Sequence, residues 1–105
     1  MSNISKVKLM DSGTALFKAD NPNAAKERLT NVLKAYGSVS EEGGLLILDF
    51  STWRYWQFIE ARLEATSMEG TFAAVLRTGD APRLPLDLPS RKAVSLTKDI
   101  LKALA

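Results

Sequence analysis

Side-chain catalysis near neutral pH leans most often on imidazole or thiol, and this chain of 105 residues has neither histidine nor cysteine. Triads of the Ser-His-Asp or Cys-His kind are therefore excluded, as are zinc sites built on Cys and His. Carboxylates, lysines and arginines remain, and with them only all-oxygen metal sites. Asp49 ends the apolar run LLILD, at the carboxyl end of what reads as a central parallel strand, where open α/β sheets take their ligands. No second acid lies at a spacing that would pair with it for acid/base work or metal binding. Its ordinary role would be to cap the element that follows. These residue types point away from an enzyme, and they call for no cofactor or metal.

Two other groups have the makings of binding chemistry. Ser90-Arg91-Lys92 opens a C-terminal helical pattern with two cations, where the positive end of the helix dipole disfavours them. An anion there would be met by free N–H groups and both cations, and Arg77 and Arg83 come from the segment just before. The ordinary alternatives are a set of solvated surface charges, or contacts with the acids Asp80 and Asp87 that offset the cost. The stretch DFSTWRYWQF, residues 49–58, carries both tryptophans and one of the two tyrosines of the chain. Trp53, Tyr55 and Phe58 beside Arg54 and Arg62 have the composition of a protein-interface hot spot. Against that stands the common fate of aromatic stripes, which is packing. The spacing predicts Trp56 inside and Trp53 at the edge.

These residues must be positioned by a small scaffold. A chain of this length forms one domain, residues 1–105, and needs no covalent staple. No apolar run approaches ~18 residues, and MSNISKVKLMDSG lacks the apolar core of a secretory signal. With cysteine absent, a reducing, cytoplasmic setting is expected. Charge alternates along the chain: six Lys/Arg against three acids over residues 1–40, two against six over 41–69, and six against three over 70–105. That alternation argues against one continuous basic face.

KVKLM, the turn DSG and TALFKA read as a β-hairpin. NPNAAKERLTNVLKAYG reads as a helix, with Asn21 as cap, Pro22 at the first turn, Gly37 as a left-handed stop, and Ala25, Leu29, Val32, Leu33 and Tyr36 as its buried stripe. SVSEEGG reads as a polar loop, and LLILDF as a strand covered on both faces. Tyr55, Trp56, Ile59 and Leu63 share one side of a helical wheel, which predicts a helix over 52–66. TFAAVLR is expected as a fourth strand and TGDAPRLPLDLP as a surface loop. SRKAVSLTKDILKALA is expected as a last helix capped by Ser90, burying Ala93, Val94, Leu96, Ile100, Leu101 and Leu104. The expected architecture is a single two-layer α/β domain, β-β-α-β-α-β-α, with a mixed four-stranded sheet and about three helices.

The order of these elements, the length, and ILDFS leading into a helix resemble the STAS domain of anti-sigma-factor antagonists and sulfate-transporter tails. The resemblance implies a non-catalytic, partner-binding regulatory module, in a family often controlled by phosphorylation at the start of the helix after that strand. The family's Asp-Ser-Gly-type turn is missing, with QFIE standing roughly in its place, so no phosphorylation site is carried over. The expected activity is binding of another protein, or of a second copy of the chain, through the segment near residues 53–62. The alternative is binding of nucleic acid or another anion by the basic residues of the C-terminal third.

Overall fold

The computed structural model describes residues 9–84 and 91–105. Its elements are β1 (Met10–Lys18), α1 (Pro22–Lys34), β2 (Ser38–Glu42), β3 (Leu45–Asp49), β4 (Tyr55–Ala65), β5 (Thr71–Pro82) and α2 (Lys92–Leu104). The strands form one sheet in the order β1-β5-β4-β3-β2, with every neighbouring pair antiparallel. The expected four-stranded mixed sheet with three helices is thus replaced by a five-stranded antiparallel sheet with two helices.

The largest error lay at residues 52–66, where β4 stands in place of a helix. Residues 57–61 of β4 are all buried, because the strand is flanked on both sides, lies under the helices on one face, and on the other packs Phe58 with Ile47 and their neighbours. The alternation that identifies a half-exposed strand is erased there. A second misreading concerned the polar stretch SVSEE, which is the edge strand β2 rather than a loop. It turns into β3 through Gly43 and Gly44, whose φ values of 57° and 82° are those of a type I′ hairpin turn. The N-terminal hairpin is not formed among the described residues. DSG lies inside β1, where the pairing register with β5 shifts between Asp11 and Gly13 in a β-bulge. Residues 6–8 of that proposed hairpin fall outside the described residues. β5, finally, runs on through TGDAP to pair with the start of β4, so the first five residues of the expected surface loop are strand; residues 85–89 of that loop fall outside the described residues.

The first helix is where the sequence placed it. Asn21 caps it, accepting from the Ala24 N–H at 2.8 Å, and Pro22 occupies its first turn. Ala25, Leu29 and Leu33 are fully buried, with Val32 and Tyr36 packed beside them. Each buried leucine contributes about 1.5–3 kcal/mol. Gly37 does not stop the helix in a left-handed conformation; its φ is not positive. Its smallness is needed instead because a Cβ there would sit 2.9 Å from the Asp49 carbonyl oxygen. In α2, Ala93, Ile100 and Leu104 are buried as expected, Thr97 joins them, and Val94 is 55% exposed.

Both helices cover the sheet face formed by Ala15 and Phe17 of β1, Leu46 and Leu48 of β3, Ile59 and Ala61 of β4, and Phe72, Ala74 and Leu76 of β5. A smaller cluster lies on the opposite face, where Ile47 and Phe58 pack with Leu45, Trp56 and Ala81.

Candidate functional site

The chain places Phe50, Trp53, Tyr55 and Trp56 at one end of the sheet, where β3 leaves, β4 enters and β5 ends. Residues 50–54 continue the β3–β4 hairpin beyond the strands proper. The Phe50 N–H donates to the Gln57 carbonyl at 3.0 Å, and the Thr52 N–H to the Tyr55 carbonyl at 2.9 Å. Trp53 and Arg54 form the tip. Thr52 braces it, since its hydroxyl oxygen accepts from the N–H groups of Arg54 and Tyr55, each at 3.2 Å. The base is held by Asp49, which accepts from the Ser51 N–H at 2.8 Å, and by the Ser51 hydroxyl, which accepts from the Gln57 N–H at 2.9 Å. Asp49 therefore organises a loop, not a helix start. The strand it ends is antiparallel to both neighbours, so the rule for carboxyl ends of parallel sheets does not apply.

On this frame cations and rings alternate. The Arg54 guanidinium carbon lies 5.7 Å from the Trp53 ring centre and 5.8 Å from that of Tyr55. The Arg83 guanidinium lies 5.1 Å over Trp56, and the Lys92 ammonium 5.7 Å over Phe50. Arg83 is tied to the tip through its backbone, donating its N–H to the Arg54 carbonyl at 2.7 Å. Exposed cation–π contacts contribute about 0.5–1 kcal/mol each and restrict the rings they cover. Trp53 is 75% exposed, the most exposed of the large hydrophobic residues described. Trp56 is not in the main core but half-buried on the opposite sheet face, and its indole N–H has no acceptor among the described residues.

The five residues singled out as an interaction surface do not form one patch. Trp53, Arg54 and Tyr55 share the hairpin tip. Phe58 is only 4% exposed and packs against Ile47. Arg62 lies eight residues along β4 from Arg54, about 26 Å at the rise of an extended strand, and pairs with Glu64 at 3.5 Å.

The basic residues are dispersed as well. Arg77 belongs to the sheet face turned away from α2, where it meets Glu60 at 3.5 Å and Asp11 at 3.6 Å. Arg83 lies over Trp56, Arg91 is exposed at the start of α2, and Ser90 falls outside the described residues. The α2 start draws its anion from Asp80, a residue the sequence left in a loop. Its carboxylate faces the Ala93 backbone N–H and the Gln57 side-chain amide, the latter at 3.5 Å. Burial pushes the Asp80 carboxyl above the ordinary value of 3.8, against the lowering effect of those two donors. Gln57, 2% exposed, is a polar residue that sequence reasoning missed, since it stood on the polar side of the presumed helix.

Among the described residues no group of three or more acids is placed to hold a metal ion, and no helix is long and apolar enough to cross a membrane. Comparison with protein-family models, with curated proteins and with solved structures finds no match to this chain.

Proposed function

We propose that this chain is a small non-enzymatic binding module of the cytoplasm that takes up another protein, or a second copy of itself, on the β3–β4 hairpin tip. The observation that carries the reading is Trp53, 75% exposed at the end of a turn braced on both sides by hydrogen bonds. A large apolar ring held out in water gains most when a partner covers it. Trp, Tyr and Arg are the residue types that dominate interface energetics. Here Arg54 lies between Trp53 and Tyr55 and limits their motion, so less side-chain freedom is left to lose on association.

Trp53→Ala tests the proposal by sedimentation of the pure protein and by capture of partners from nuclease-treated native lysate. Association should weaken by more than about tenfold, the scale of a hot-spot residue. The thermal midpoint should stay within a few degrees, because little buried surface is lost. Trp56→Ala, which opens the second apolar cluster, should lower the midpoint instead. Association left unchanged by Trp53→Ala would remove the tip as the binding surface. Partners lost on nuclease treatment would point to nucleic acid.

A further inference from the structure

The sheet has two edges, β1 and β2, and they are built differently. β2 is five residues long and ends on Glu41 and Glu42, and charge on a short strand keeps an edge from pairing further. β1 is nine residues long, and residues 12–17 of it carry neither charge nor proline. Met10 and Leu16, 65% and 60% exposed, are two large apolar side chains left in water on this one strand. A bulge can blunt an edge, but the one between Asp11 and Gly13 lies at the start of β1 and leaves residues 14–18 in regular register with β5.

The alternation of a strand fixes where each group points. Ala15 and Phe17 face the helices, so Thr14, Leu16 and Lys18 face the other side of the sheet. The Ala19 N–H donates toward β5, to the Gly70 carbonyl at 3.0 Å. The backbone groups of Lys18, Leu16 and Thr14 are therefore turned the other way, to the open edge. At Lys18 the carbonyl is taken, accepting from Arg28 at 3.2 Å. Outside Thr14 and Leu16 there is no further strand among the described residues. Asp11 lies on the same face as Lys18, its side chain 92% exposed and 3.6 Å from Arg77. The edge thus carries an acid near one end and a base at the other.

We infer that β1 pairs edge to edge with β1 of a second copy, antiparallel about a two-fold axis at Ala15, so that one sheet runs through both copies. Thr14 of each copy then exchanges both backbone hydrogen bonds with Leu16 of the other. The two Leu16 side chains become diagonal neighbours, about 7–8 Å apart. With Ser12 taken up by the bulge, Asp11 comes opposite Lys18 at each end of the seam. Other registers separate these charges, and a parallel pairing sets like charges side by side. The seam is distinct from the hairpin tip, which is left for a different protein.

Sedimentation equilibrium of the pure protein from micromolar to millimolar concentration should show a monomer–dimer equilibrium, with amide exchange at Thr14 and Leu16 slowing as the dimer fills. Leu16→Pro removes an outward N–H that the monomer's own sheet does not use, and should abolish the dimer. Lys18→Glu should weaken the dimer about fivefold to tenfold, and adding Asp11→Lys should restore it. This charge swap decides the matter even if Leu16→Pro fails to fold. Trp53→Ala, whose effect then falls on captured partners alone, should leave this dimer in place. A monomer at every concentration, a dimer that persists in folded Leu16→Pro, or a charge swap without recovery would each overturn the inference. Self-association lost in Trp53→Ala and kept in Leu16→Pro would overturn it too, while upholding the tip.

Discussion

Asp80 carries its charge at a cost that surface carboxylates avoid. It is partly buried beside the first turn of α2, and desolvation outweighs the Ala93 and Gln57 donors that favour its ionised form. The folded protein therefore holds this proton more tightly than the unfolded chain does. Between the ordinary value of 3.8 and the raised folded value, stability attributable to Asp80 falls as pH rises. Above that window the burial penalty is complete; below it, where both states are protonated, it vanishes. Asp80→Asn keeps an acceptor for the Ala93 N–H and cannot ionise. Thermal midpoints measured from about pH 3 to pH 7 should show the variant gaining on the parent as pH rises through the window of carboxylate titration. A flat or reversed difference curve would contradict the assignment. Little of this was readable in the sequence. Asp80 follows Thr-Gly and precedes Ala-Pro, turn chemistry by type, and only pairing with β4 makes that segment a strand. Arg91 and Lys92 raised the right question, that of an anion at this helix start, but the acid that answers it comes from another element.

The glycines set the geometry of the elements in two distinct ways, and substitution separates them. Gly37 has ordinary backbone angles, yet a Cβ would meet the Asp49 carbonyl oxygen at 2.9 Å and Leu48 Cδ1 at 3.2 Å. The nearer atom is backbone, so β3 itself must move. Gly37→Ala should therefore destabilise by about 1–3 kcal/mol, exceeding the ~0.4–1 kcal/mol gained from a stiffer unfolded chain. Gly43 has open space around it and a φ of 57°, which asparagine tolerates. Gly43→Asn should leave stability nearly unchanged. Denaturant unfolding of both variants is the measurement, and equal midpoints would refute the steric account. Element types were readable where one face meets water: α1 shows its stripe, its cap and its proline. They were not readable in β4, where the apolar doublet Phe58-Ile59 serves two different faces and mimics a helical period. The edge strand β2 failed for the opposite reason, since little of it is buried and polar residues outnumber its single valine.

At the scale of the whole molecule, β2 to β5 form a meander of neighbours in sequence, whereas β1 pairs with β5 across most of the chain. Ala15 lies opposite Ala74, 59 positions later. No local pattern announces such a pairing, and a sheet order built on consecutive elements misses it. The element order behind the resemblance to STAS domains rested separately on a helix over 52–66, where the structure has β4. The same separation orders events in time, because long loops close at an entropic cost before their contacts form. Phe17→Leu in β1 should speed unfolding and leave the folding rate nearly unchanged, while Ile59→Val in β4 should slow folding. Stopped-flow rates across denaturant would decide it, and a folding rate slowed equally by both would reverse the order of assembly. During synthesis the consequence is an interval. At about 5–20 residues per second, β1 leaves the ribosome roughly 3–12 s before the strand it must join. For those seconds Phe17 lacks the Phe72 ring it packs against, so the apolar face of β1 waits in water until the last strand is made.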